Sequence, residues 1–269
     1  MADPFQDVDS AGPEFIAMFA DSMDARQSDP TMERIVAAYL EQLDVSGGGL
    51  IVEVGAGAGA VTRRIAARFP AVRVRGFEPS QGFVAEARAR GADHENLDFA
   101  VADGTSLPLE DAAANAVVLH TVLSHVAHPA HLMREAERIL APGGRLVICD
   151  ADFSKASLAS VANDPLDACA REFVRAFVTD AHITGRLHDL IAEAGLDLVE
   201  FSIDARVVTD NAQMRVWVEA STGGMVERGE MGPALAAALA QEYDRRAAAG
   251  KLYGFQAFAT AIAEKEQAA

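Results

Sequence analysis

The chain has 269 residues, half of them hydrophobic, which suffices for one substantial core and lies near the upper size of a single domain. Its formal net charge of -17 repels phosphate backbones and anionic lipid surfaces, which argues against nucleic acid as a substrate and against a membrane-surface role. The opening MADPFQDVDS lacks the basic and apolar regions of a signal peptide, and no run of about eighteen apolar residues occurs, so a cytoplasmic protein without membrane insertion is expected.

In chain order, the first helical signal begins at Asp29-Pro30, where Asp29 suits an N-cap and Pro30 a first turn. Met32, Ile35, Val36, Tyr39, Leu40 and Leu43 then recur at helical spacing. Five short β-type runs follow at 50–54, 72–77, 97–101, 115–119 and 145–150, with helical patterns near 60–68, 80–90 and 129–140 in the gaps between them. Strands alternating with helices of this length imply right-handed crossovers and a doubly wound parallel sheet covered on both faces. A helical region around 160–178 and a helix at 184–195, closed by Gly195, lead to DLVEFSIDARVV, which alternates like a strand. Residues 211–250 read as a largely helical insertion holding the single Trp217, and 253–263 as a last strand returning antiparallel at the sheet edge. The organisation expected is an N-terminal helical cap over 1–44 and an α/β domain over 45–269, with 211–250 as its insertion or lid.

The segment LIVEVGAGAGAVT places Gly55, Gly57 and Gly59 between a strand and a helix, where missing side chains let backbone N–H groups approach a polar ligand. Because Ala60 can close the pattern, Gly55, Gly57 and Ala60 also satisfy the dinucleotide signature, so an NAD-dependent oxidoreductase stands as an alternative. Glu78, at the end of the second strand, suits ribose hydroxyls in either nucleotide class and does not separate the two.

Three further features separate them. Glu53 precedes the first glycine by two residues, VADGTSLPLED carries Asp103 after the third strand, and LMREAERILAPGGRLVICD joins a helix, a Pro-Gly-Gly turn and a strand. With these, residues 29–155 resemble the class I S-adenosylmethionine-dependent methyltransferases, small-molecule type, and the tail fits that family's sixth and seventh strands. The resemblance implies a Rossmann-like, seven-stranded mixed sheet with the last strand antiparallel, and S-adenosylmethionine as cofactor. It implies that Gly55, Ala56 and Gly57, with Gly59 in the same loop, wrap the methionine part and that Glu53 supports its amino end. Glu78 would hold the ribose hydroxyls, Asp103 with Gly104 would face the adenine, and His120 and Thr121 would border the sulfonium.

Methyl transfer from a sulfonium needs alignment in a dry pocket, and only a hydroxyl acceptor benefits from a general base. His120, His125, His128, His131, Asp150 and Asp152 cluster at the carboxyl ends of the fourth and fifth strands, and His125 and Asp152 are the catalytic candidates. The histidines lack a helical pair with a supporting carboxylate, and Cys149 and Cys169 lack paired spacing, so no metal site is expected. Arg26 is a candidate for the cofactor carboxylate. Phe5, Phe15, Met18, Phe19 and Met23, with Met214, Trp217, Met225 and Met231, suit an apolar lid, a core or a homodimer contact. The acceptor expected is a small molecule; a module that binds the cofactor without turning it over is the non-enzymatic alternative.

Overall fold

A computed structural model describes residues 3–45, 48–210 and 213–267. A short 3-10 turn (Pro4–Gln6), α1 (Val8–Ala11), α2 (Pro13–Gln27) and α3 (Pro30–Glu41) precede the sheet. Then follow β1 (Leu50–Val54), α4 (Ala60–Arg68), β2 (Arg73–Glu78), α5 (Gln81–Arg90), β3 (Leu97–Val101), β4 (Ala114–His120), α6 (Pro129–Ile139) and β5 (Leu140–Ser157). The chain continues through α7 (Pro165–Phe177), α8 (Leu187–Glu193), β6 (Asp197–Val208), α9 (Arg215–Glu227), α10 (Pro233–Ala248) and β7 (Gly254–Glu264). Residues 211 and 212, at the head of the expected insertion, lie outside the described residues, as do 1, 2, 46 and 47 near the ends of the expected cap.

Seven strands form one sheet in the order β3-β2-β1-β4-β5-β7-β6. The pairs among β1 to β5 are parallel, and β7 is antiparallel to both β5 and β6. The winding direction reverses between β1 and β4, and at such a switch point the loops leaving the carboxyl ends part to form a crevice. The period-2 geometry of the strands splits the core between two faces. Ile51, Val118 and Cys149 pack with α3 and α4 on one side, while Val52, Val117, Leu119 and Ile148 pack with α6 and α8 on the other. Asp29 caps α3 as its sequence suggests, its Oδ1 accepting from the N–H groups of Thr31 and Met32 at 2.8 and 3.3 Å.

Two details differ from the sequence reading. β7 lies inside the sheet, not at its edge: its Ala- and Phe-rich residues are buried almost throughout, whereas β6, exposed over most of its length, takes the edge. Pro142-Gly143-Gly144 is not a free turn but a bulge within β5. Ala114 pairs with Leu140 and Ala116 with Arg145, so the intervening residues bow outward. A Cβ on Gly144 would stand 2.8 Å from the Ala141 carbonyl oxygen, so only glycine fits the bow.

The N-terminal helices lie over the glycine loop. Asp24 on α2 pairs with Arg63 of α4, and Arg90 of α5 reaches Asp21 at 2.7 Å and Asp24 at 2.5 Å. Asp9 from α1 accepts from the Ser80 hydroxyl and from the N–H groups of Gln81 and Gly82 at the start of α5. These contacts fix where the leading segment crosses the carboxyl edge.

Candidate active site

The loop after β1 turns on three left-handed residues, Gly55, Gly57 and Gly59, with φ of 73, 53 and 76°. A Cβ on Gly55 would lie 2.6 Å from a Val122 methyl, and one on Gly57 2.8 Å from Met23 Sδ. The N–H groups of Gly55 and Ala56 both donate to the Phe77 carbonyl, at 2.8 and 3.0 Å, tying the loop to the end of β2.

Glu78 ends β2 buried beside this loop and accepts from the N–H groups of Gly57 and Ser80 at 3.0 and 3.1 Å. Burial pushes its carboxyl up to about 7, while the two N–H donors pull it back. Glu53 lies beneath the loop in β1, wholly enclosed, accepting from the Thr62 hydroxyl; burial pushes it up to about 8. Asp103 follows β3 and accepts from the N–H and hydroxyl of Thr105, both at 2.8 Å. A Cβ on Gly104 would meet Val54 Cγ1 at 2.7 Å, so this turn also passes too close for a side chain.

A cleft of 440 Å³ draws together Gly55, Gly57, Glu78, Asp103, Gly104 and Thr121, roofed by Phe5, Val8 and Met23 from the N-terminal segment. His125, His128 and His131 line its far end. Ala56, Gly59 and Glu53 stand behind the wall: Gly59 caps α4, and Ala56 is buried against Gly76.

His120 is enclosed at the end of β4. Arg64 Nη1 donates to Gln27 Oε1 at 3.0 Å, which turns the Gln27 amide nitrogen toward His120 Nε2 at 3.1 Å as a donor. Nε2 therefore accepts, so in the neutral ring Nδ1 carries the proton and donates to the Tyr39 oxygen at 3.2 Å. Burial, then Arg26 and Arg64, hold its pKa well below the usual imidazole value. The ring braces α2 and α3 against β4 and lines neither the cleft nor the chamber behind it.

Thr121 takes φ of 54°, a strained value for a β-branched residue. Its N–H donates to the Cys149 carbonyl at 2.7 Å, its hydroxyl donates to the His120 carbonyl at 2.7 Å, and that oxygen accepts from Arg26 Nη2 at 3.0 Å. His125 Nδ1 stands 2.9 Å from Asp3 Oδ2, which the Thr179 hydroxyl also reaches at 3.0 Å. A carboxylate can only accept, so Nδ1 holds the proton and Nε2 is left as the basic nitrogen. Asp152 is placed outside both cavities, its Oδ1 accepting from the N–H and hydroxyl of Ser154. Asp150 is buried, accepts from the N–H groups of Ser124 and Ala151, and has its pKa raised chiefly by that burial.

A smaller chamber of 90 Å³ opens behind the cleft and shares Phe5, Met23, Thr121 and His125 with it. Its inner wall carries Arg26, Arg206, Gln213 and Gln256 among Phe153, Phe173 and Trp217. Sequence reasoning passed over Asp3, Arg206, Gln213 and Gln256. Arg206 did carry a signal, since it shares the inward phase of β6 with Val208; Asp3 is one acid among 40 acidic residues and carried none. Among the described residues no group of three or more His, Cys, Asp or Glu could hold a metal ion.

Residues 52–148 match a methyltransferase domain family. The chain is 30% identical over 211 residues to the methyltransferase GfsG of Streptomyces halstedii, covering 72% of each chain. It is 32% identical over 160 residues to an uncharacterized 37.1 kDa transposon protein of Streptomyces fradiae, covering 59% of this chain and 46%, about half, of that relative. Among solved structures, phosphoethanolamine N-methyltransferase 2 of Haemonchus contortus, in complex with phosphomonomethylethanolamine and S-adenosylhomocysteine, shares the fold. Its TM-score is 0.53 at 16% identity, over 87% of this chain and 53% of that one.

Proposed function

Since the chain belongs to the class I S-adenosylmethionine-dependent methyltransferases, we propose that it methylates a small-molecule acceptor held in the chamber behind the cofactor cleft. The observation that carries this reading is the pair of adjoining cavities, which share Phe5, Met23, Thr121 and His125 as walls. One runs along Glu78, Asp103 and the glycine loop, and the other ends in polar groups set among aromatic rings. The first fits the cofactor, because its loop is cleared of every Cβ that would fill it and its rim bears carboxylates suited to hydroxyl and amine donors.

When bound, S-adenosylmethionine supplies a methyl group already activated by its sulfonium. The chain's task is then to position and to exclude water. Glu78 is assigned the ribose hydroxyls and Asp103, with Gly104, the adenine edge. Gly55, Ala56 and Gly57 make room for the methionine part, with Gly59 starting the helix behind them, and Glu53 supports the ammonium end from beneath the loop, its burial-raised carboxyl drawn toward ionisation by that cation. Thr121 borders the junction of the two cavities, with His120 bracing it from behind. Phe5, Val8 and Met23 keep water out from above. For a hydroxyl acceptor, His125 Nε2 takes the proton while Asp3 steadies Nδ1, and Asp3 is a positioning residue. Asp152 has no part in this scheme.

A cytoplasmic setting is supported by two buried free thiols, Cys149 and Cys169, and by the acidic charge; no helix among the described residues is long and apolar enough to cross a membrane.

The test is turnover of methyl-labelled S-adenosylmethionine against panels of alcohols, phenols, amines, thiols and carbon acids, reading S-adenosylhomocysteine and labelled product together. One class is expected to yield both in equal amounts. Tight cofactor binding with no panel member raising product above the acceptor-free rate would favour the binding-module reading instead.

A further inference from the structure

The inner chamber holds more positive charge than its own carboxylates balance. Arg206, 2% exposed, donates to Gln256 Oε1 at 3.3 Å and to the Gln213 side chain. Its Nε lies 3.2 Å from Asp29 Oδ2 without the alignment of a hydrogen bond. Asp29 already caps α3 through its other oxygen, so one carboxylate serves both a helix N-terminus and a guanidinium.

Among the described residues Arg26 is bound only through Nη2, to a neutral hydroxyl; its buried Nε has no hydrogen-bond partner there, and no ion pair joins it to a described carboxylate. Burial and then Arg206 lower its pKa to about 10, which still leaves it a cation at neutral pH. Asp150, the acid whose charge acts on it, is taken up by the N–H groups of Ser124 and Ala151. Over the whole chain acids outnumber bases, 40 to 23, so two enclosed cations of which one alone is ion-paired run against that composition. An enclosed charge is costly until paired.

Resting on the small-molecule reading above, we propose that the acceptor is itself an anion, a compact apolar or aromatic carboxylate whose charged end is held between Arg26 and Arg206. The walls around that charge are Phe153, Phe173 and Trp217, the last two stacked at 4.6 Å. The 90 Å³ chamber has room for the carboxylate end alone, so a ring or chain attached to it extends into the adjoining cleft. A carboxylate bridging two guanidiniums would use charge-assisted hydrogen bonds, roughly twice as strong as neutral ones. The Gln256 amide adds neutral polar contact beside it.

The probes are benzoate, phenylacetate and hexanoate against their uncharged amides, titrated calorimetrically into the protein saturated with S-adenosylhomocysteine. At least one carboxylate is expected to bind about tenfold or more tightly than its amide, which corresponds to the gain of a charged hydrogen bond. That preference should vanish in Arg26→Gln and Arg206→Gln. Because Arg206 anchors Asp29 and its loss can unfold the chain, Gln256→Met, checked by thermal melting, is the second variant, with a smaller loss of the same preference.

Equal binding of acids and amides, or no binding of any, overturns the proposal. So does an Arg26→Gln variant that loses S-adenosylhomocysteine affinity but keeps the carboxylate preference, since that guanidinium would then serve the cofactor's own carboxylate. Wild-type protein that fails to bind S-adenosylhomocysteine would instead bring down the reading beneath this one.

Discussion

Replacing Glu78 with glutamine tests the cofactor site through a carboxyl whose titration the fold itself sets. In the free protein burial holds that carboxyl at about 7, so at pH 6 most molecules carry it protonated. A ribose diol offers two hydroxyl donors and favours the ionised form, so binding at low pH requires release of a proton. With a free-state pKa near 7, the affinity for S-adenosylhomocysteine is expected to be about tenfold weaker at pH 6 than at pH 8. In Glu78→Gln one charged acceptor is gone, at a cost of about 1.5–3 kcal/mol, so affinity at pH 8 should fall by roughly tenfold to a hundredfold. Glu53, held at about 8, also loses a proton in this range, but it is intact in the variant, so the difference between the two pH profiles isolates Glu78. Calorimetry in two buffers of unlike ionisation enthalpy counts the protons directly. A variant with wild-type affinity, or with an unaltered pH slope, would refute the assignment.

Gly55→Ala must bring a left-handed residue at a cost of roughly 1–2 kcal/mol and drive its methyl into Val122, so S-adenosylhomocysteine affinity should drop at least about tenfold while the sheet survives by circular dichroism. For a hydroxyl acceptor, His125→Ala should lower kcat by about 10²- to 10⁴-fold; kcat unchanged within about threefold would strip the imidazole of the base role. Asp3→Asn should lower kcat while leaving KM for S-adenosylmethionine in place, a split that a purely structural role would not produce. Stability of the ligand-free protein should fall as pH rises from 6.5 to 8. Glu53 and Glu78 have folded pKa values above their ordinary carboxyl value, so the folded state binds the extra protons and loses their benefit as pH rises through about 7 and 8. The loss is on the order of 2 kcal/mol, and chemical denaturation of Glu53→Gln at the two pH values should show a flatter response.

The sheet was legible because its first strands are short apolar runs alternating with helices of crossover length, which implies a parallel, doubly wound sheet. The place of β7 was not, since an alternating run reads alike at an edge and beside one; only its burial on both faces separates them. The bulge at Pro142-Gly143-Gly144 was hidden because turn residues look the same inside a ladder as between elements. Within the site, Gly55, Gly57, Glu78, Asp103 and Thr121 sit where local motifs point. Asp3 meets His125 from 122 residues away and Arg206 enters the inner chamber from the edge strand of the sheet, and no local pattern announces contacts of that span. Asp152 shows the converse, a polar residue at a strand's carboxyl end that turns to its own neighbour Ser154.

The roof over the cleft has a kinetic consequence. Phe5, Val8 and Met23 lie over whatever is bound in the cleft, and what pins α2 there is a clasp of partly exposed charges, Asp21 and Asp24 against Arg63 and Arg90. Such pairs weaken as counter-ions crowd around them, whereas the buried apolar contacts below do not. Added salt should therefore loosen the clasp and quicken the escape of spent cofactor, leaving the chemistry underneath untouched.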